Sequence, residues 1–156
     1  MIPLIWDLHF PHTGLVRLSE PLTYNRHVQP VCIPKINFPP GRLCTGVGWG
    51  TTLGTGNRSV LNQARLPILI QSTCRYWHRE TNEVYPSMVC AGYEDGRRGD
   101  CHGDSGGPLL CFRAGRFWIQ GVTSWGRPEC KADEAPTVFT RVPSYYDWIT
   151  EHISLN

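Results

Sequence analysis

Ser105 stands in the run Gly103-Asp104-Ser105-Gly106-Gly107-Pro108, between Cys101 and Cys111. A serine flanked by glycines suits a tight turn that exposes its hydroxyl as a nucleophile. The chemistry this points to is acyl transfer, in which the serine oxygen attacks a carbonyl carbon. A serine hydroxyl is a weak nucleophile unless a base beside it takes the proton. The chain holds six histidines, His9, His12, His27, His78, His102 and His152. None has a motif around it that marks it as that base, and we expect each to be a surface histidine.

The elements that would position Ser105 read as short strands. Glycine and proline are frequent, and no long stretch carries a helical apolar period. Leu15 to Leu18 is a short strand candidate. Residues 26–43, with Pro30, Pro34, Pro39 and Pro40, read as an extended linker. A strand is expected to begin at Val47 and run into a glycine- and threonine-rich loop, and another to span Arg65 to Ile70, interrupted at Pro67. Ser72 to His78 fits a helical turn capped by Ser72. Pro108 to Phe112 and Phe117 to Val122 are strands joined by Arg113-Ala114-Gly115-Arg116, a hairpin signal. Thr137 to Val142 is a further strand. Ser144-Tyr145-Tyr146-Asp147 matches a capping box before Trp148, Ile149 and Ile153, which predicts a C-terminal helix with an apolar face on the sheet.

The formal net charge of +2 is too small to argue for nucleic acid or a membrane surface as partner. No apolar run approaches membrane-spanning length. The seven cysteines include no CxxC pair, so disulfides in an oxidising compartment are a better reading than a zinc site. Asn57-Arg58-Ser59 is an N-glycosylation sequon in a glycine-rich loop, which agrees with secretion. The N-terminus points the other way. Met1 to Asp7 has no basic segment, and its apolar run is too short for a signal peptide. The expectation is that Met1 is not the natural start or that an upstream part is missing.

An ordered set of motifs resembles the trypsin-like serine proteases of the chymotrypsin family. They are Leu15-Val-Arg-Leu-Ser-Glu-Pro21, Val28-Gln-Pro-Val-Cys-Ile-Pro34, Cys44-Thr-Gly-Val-Gly-Trp-Gly50, Met88-Val-Cys-Ala-Gly92, Cys101-His-Gly-Asp-Ser-Gly-Gly-Pro108, Ser124-Trp-Gly126 and Val138-Phe-Thr-Arg-Val142. The resemblance implies an all-β fold of two antiparallel barrels with the active site between them. By that comparison residues 14–156 are a partial protease domain: 26–43 the inter-barrel linker, 44–142 a complete second barrel and 144–153 the C-terminal helix. Most of the first barrel is expected to be missing.

The resemblance also assigns roles. Ser105 is the nucleophile, and the N–H groups of Gly103 and Ser105 form the oxyanion hole. Asp104 is the partner of the α-amino group made by activation cleavage. With no such N-terminus here, Asp104 is expected unpaired or repositioned, the oxyanion turn zymogen-like. The substrate pocket takes Gly99, Asp100, His102 at its rim, Thr137 opposite, and the wall Ser124, Trp125 and Gly126. An acid at Asp100 favours Arg or Lys side chains, whereas its shifted position and Thr137 favour small ones. The implied disulfides are Cys44–Cys111, Cys74–Cys90 and Cys101–Cys130. Cys32 is left over, and in two-chain relatives its counterpart bonds a propeptide. A free buried thiol is the alternative.

The triad histidine belongs to the region expected missing, and His12 stands where the triad aspartate is normally found. Asp7 is the one acid that could fold back in its place. Residues 1–13 lie outside the resemblance and fit the translation of an intron end. The sequence reading is therefore a secreted serine endopeptidase present as a fragment, inactive alone, acting on protein or peptide substrates and needing no cofactor. Its partners would be the missing barrel and propeptide. The alternative is a catalytically dead, protease-like binding module.

Overall fold

A computed structural model describes residues 13–51, 57–93, 99, 102–126 and 136–155. The strands are β1 (Leu43–Gly48), β2 (Asn62–Pro67), β3 (Met88–Ala91), β4 (Pro108–Arg113), β5 (Arg116–Trp125) and β6 (Thr137–Arg141). Helix α1 (Gln71–His78) lies between β2 and β3, and α2 (Tyr146–Ser154) ends the chain. The strands form one six-stranded sheet in the order β2-β1-β4-β5-β6-β3, all neighbours antiparallel. The sheet curls until its edges meet. Leu69 N donates to the Cys90 carbonyl at 2.9 Å and Gly92 N to that of Pro67 at 3.0 Å, so the end of β2 is drawn to β3. This mostly-β, curled sheet with a C-terminal helix is the architecture expected of a chymotrypsin-like barrel.

Side chains alternate across strands, and here both faces are covered. Inside the curl, Phe38, Leu66, Ile68, Val89, Ala91, Leu109 and Phe139 pack around the Cys44–Cys111 disulfide. Under α1, Val84, Met88 and Val138 pack with the Cys74–Cys90 disulfide, Leu69 and Trp125. Strands β3 and β6 supply both clusters, Val89 and Phe139 facing one way, Met88 and Val138 the other. For that reason all four residues of β3 are buried, and the strand shows no alternation in sequence.

Arg141 bolts the two layers together. Its Nε and Nη2 donate to the Met88 carbonyl, and Nη2 donates to Gln71 Oε1 at 2.5 Å. Burial pushes its pKa below the usual arginine value, which still leaves it charged. Gln120, fully buried, accepts from Phe38 N at 3.2 Å and donates to Asn37 Oδ1, fastening residues 37–38 to the sheet.

Several local expectations shift. The first strand ends at Gly48 instead of beginning at Val47, because Leu43 to Gly48 pair throughout with β2. Strand β2 starts at Asn62, and after Pro67 the chain turns toward β3. Leu15 to Leu18 form no strand: no described residue pairs with them, and Val16 is 86% exposed. Helix α1 begins at Gln71 with Ile70 as N-cap, so Ser72 lies inside it. The C-terminal helix starts after a 3₁₀ turn over Val142–Tyr145, and its N-cap, Tyr145, makes no side-chain capping bond. Its apolar face is narrower than expected: Ile149 is buried, while Ile153 is exposed. The Arg113–Arg116 hairpin forms as read, with Ala114 at φ 50° and Gly115 at φ 74°, both left-handed.

Candidate active site

The turn that carries Ser105 is held from two sides. On one side, Gly107 N closes the turn onto the Asp104 carbonyl at 2.8 Å, and Gly106 N donates to the Thr123 carbonyl at 2.9 Å. Thr123 answers by donating its own N–H and its hydroxyl to the Gly107 carbonyl, at 2.8 and 3.1 Å. Strand β5 thereby fixes the turn two residues before Trp125. On the other side, Thr51 N donates to the His102 carbonyl at 2.8 Å and Gly50 N to Asp104 Oδ1 at 2.8 Å. Between these ties Ser105 is exposed.

The Asp104 carboxylate lies flat against Gly48 and Gly50. A Cβ on Gly48 would stand 1.9 Å from Asp104 Oδ1, and one on Gly50 2.4 Å from Asp104 Cγ. A Cβ at either position would force the Asp104 side chain to shift, which ties the two glycines flanking Trp49 to the placement of Asp104. Asp104, expected unpaired or repositioned, has its carboxylate on Gly50 N–H. Gly103 adopts φ 96°, where a side chain would be strained, and a Cβ there would stand 3.3 Å from Gly50 Cα.

Thr137, nearly buried at the start of β6, stands between two glycines of the expected pocket. A Cβ on Gly99 would lie 3.3 Å from Thr137 Oγ1, and one on Gly126 would lie 4.0 Å from Thr137 Cα. Ser124 and Trp125 are half-buried and Gly126 exposed at the end of β5. The structure therefore brings Gly99, Thr137, Ser124, Trp125 and Gly126 to one region of the sheet. Asp100 and the Cys101–Cys130 pair fall outside the described residues, as do Asp7, His9 and His12.

The remaining histidines are engaged elsewhere or on the surface. His27 is exposed and accepts from Arg26 Nε at 2.8 Å. His152 Nδ1 contacts the Trp148 carbonyl at 2.8 Å. His102 is exposed beside the turn. His78 departs from the surface expectation: it is 0% exposed, with Nε2 at 2.9 Å from the Pro136 carbonyl and its ring against Trp125. The signal was its spacing from Cys74, which puts both residues on one face of α1. Thr123, which holds the Ser105 turn, had no motif to announce it.

Among the described residues two disulfides, Cys44–Cys111 and Cys74–Cys90, are formed, and Cys32 is a free, half-buried thiol. Cys32 is hydrogen-bonded to β5 through Phe117 and Ile119. Among the described residues no group of three or more His, Cys, Asp or Glu could hold a metal, and no helix is long and apolar enough to cross a membrane.

A curled antiparallel sheet that presents a serine on a Gly-Asp-Ser-Gly-Gly turn defines a serine protease scaffold. The family model described as Trypsin matches residues 11–149, and the chain belongs to this family, the trypsin-like serine proteases of the chymotrypsin type. Disulfides together with a trypsin domain are typical of secreted proteins.

Proposed function

We propose that this chain carries the nucleophile and substrate wall of a secreted serine endopeptidase. The observation that supports it best is the double tether of the Gly103–Gly107 turn, from Gly50 and from Thr123, with Ser105 left exposed between them. In this reading Ser105 Oγ attacks the substrate carbonyl carbon. The oxyanion lies against the N–H groups of Gly103 and Ser105. The C–N bond then breaks, the amine leaves with the serine's proton, and water hydrolyses the acyl-enzyme.

The proton needs a base. His27, His78 and His152 hold other partners. The base and its orienting acid are assigned to a further segment, the first barrel, packed over the exposed Leu15, Val16, Leu18 and Leu22. Without it a loss of roughly a million-fold in turnover is expected. Asp104 is the partner of the activated N-terminus, and its hold on Gly50 is the arrangement before that partner arrives. Cys32 is the attachment point of the propeptide. Thr137 against Gly99 narrows the pocket base and supports a preference for small substrate side chains over Arg or Lys.

Asn57 is proposed to carry an N-linked glycan. It is exposed, and its Oδ1 accepts from Ser59 N at 2.9 Å in a local turn that presents the sequon outward. The function is tested with a fluorophosphonate probe and peptide mapping. Modification is expected at Ser105 and absent from Ser105→Ala. Modification spread over other serines, or none under any condition, would favour a binding module that has lost its chemistry.

A further inference from the structure

The outer face of the sheet carries an apolar row at the end of β4 away from the Ser105 turn. Phe112 and Phe117 are Cα partners across the β4–β5 hairpin, with ring centroids 5.0 Å apart. Continuing the β1–β4 register by two residues from Thr45 and Leu110 sets Leu43 opposite Phe112. Cys44 and Cys111 point into the core, so Leu43 and Phe112 point outward by alternation. All three side chains are open to solvent: Leu43 is 46%, Phe112 50% and Phe117 51% exposed.

Arginines surround this row. Arg42 precedes Leu43, Arg113 follows Phe112 and Arg116 precedes Phe117 on strands of alternating direction, so all three stand on one side of it. Arg42 reaches across to donate to the Phe112 carbonyl. On the other side of the row Arg65 is exposed and faces outward, next to the inward Leu66. Arg113 and Arg116 are Cα partners, and like charges directly opposite each other destabilise a strand pair. The sheet supplies no counter-charge, because none of its strands contains Asp or Glu. Residues 21–79 and 105–128 contain none either. Among the described residues no carboxylate forms an ion pair with any of these four arginines.

A contiguous exposed apolar patch marks an interaction surface, and aromatic and arginine side chains carry much of the binding energy at such surfaces. We propose that this face binds an acidic, apolar segment of a partner protein. Its carboxylates pair with Arg42, Arg65, Arg113 and Arg116, and its apolar side chains cover Leu43, Phe112 and Phe117. Neighbouring strands lie about 4.8 Å apart, so the row spans roughly 10 Å, the length of about two helical turns. A second copy of this chain would bring arginine against arginine. A lipid surface would meet Arg113 and Arg116 at the hairpin tip before it met the phenylalanines. A sulfated glycan would leave the apolar row uncovered. The proposal goes beyond the protease reading and does not depend on the chemistry of Ser105.

The probe is a fluorescein-labelled, Glu-rich helical peptide with one stripe of Leu and Phe, titrated against the whole chain by anisotropy. One counterpart replaces every Glu by Lys, and another replaces the stripe by Ala. The acidic, apolar peptide is expected to bind about 10-fold more tightly than either counterpart. Phe112→Ala with Phe117→Ala should weaken it about 10-fold, and so should Arg113→Glu with Arg116→Glu. All four positions are exposed, so the urea midpoint of each double variant should stay close to that of the unsubstituted chain. If the phenylalanine pair proves destabilising, the arginine pair decides alone.

Equal binding of the three peptides, binding of none, or undiminished binding by the arginine variant overturns the proposal. A heparin oligosaccharide and phosphatidylserine vesicles are titrated in parallel. Binding of either one in place of the acidic peptide assigns the surface to another class of partner and also overturns it.

Discussion

Gly50 donates its backbone N–H to Asp104 Oδ1 at 2.8 Å, and the carboxylate lies so close that a Cβ on residue 50 would force it to shift. This contact joins the segment after β1 to the residue next to Ser105. Asp104 is held by a residue 54 positions away in sequence, so the conformation of the Ser105 turn depends on the segment after β1 as well as on its own glycines.

Gly50→Ala should therefore act at the turn. The new methyl displaces the carboxylate and breaks a hydrogen bond to a charged group. Together these are expected to cost about 2–4 kcal/mol. Urea unfolding should show a lower midpoint with an unchanged slope. An unaltered midpoint would mean that Asp104 moves aside freely.

Arg141 offers a second test. Its guanidinium serves the Met88 carbonyl and Gln71 Oε1 together. Arg141→Ala leaves both acceptors without this donor under α1 and should destabilise the chain by about 2–4 kcal/mol. Arg141→Lys can satisfy only part of this geometry and should recover less than half.

The Cys74–Cys90 bridge closes a loop with a sequence separation of 16. Replacing both cysteines by alanine should cost about 3 kcal/mol. The loss should appear first as faster amide exchange in α1, since the bridge is its covalent tie to β3.

Ala114 at φ 50° sits where a side chain is strained, in the tip of the β4–β5 hairpin. Ala114→Gly should stabilise the chain by about 0.5–1 kcal/mol. A lower unfolding midpoint would contradict the conformation assigned to the turn.

What could be read in the sequence divides along physical lines. The β4–β5 hairpin was legible because turn residues separate two apolar runs, and the tight turn at Ser105 was legible because its glycines are local. Strand β3 was not legible, since both its faces are buried and Met88 to Ala91 show no alternation. Leu15 to Leu18 have a strand's pattern without a described partner, and a strand exists only through its neighbour. The capping box at Ser144 was overridden by Pro143, which joins the 3₁₀ turn leading into α2. His78 was read as a surface residue because burial of a polar ring depends on contacts with Trp125 and Pro136, distant in sequence. The glycines at 48 and 50 were seen as motif letters, and only the structure shows that Asp104 occupies the space their side chains would need.

The most direct test is the rate of Ser105 modification by a fluorophosphonate, measured by mass spectrometry with and without added imidazole as an external base. The account predicts slow modification of the chain alone, acceleration by imidazole at Ser105, and no modification of that peptide in Ser105→Ala. Rapid, stoichiometric modification without imidazole would show that the chain already holds its base, and failure with imidazole would show that Ser105 is not a nucleophile.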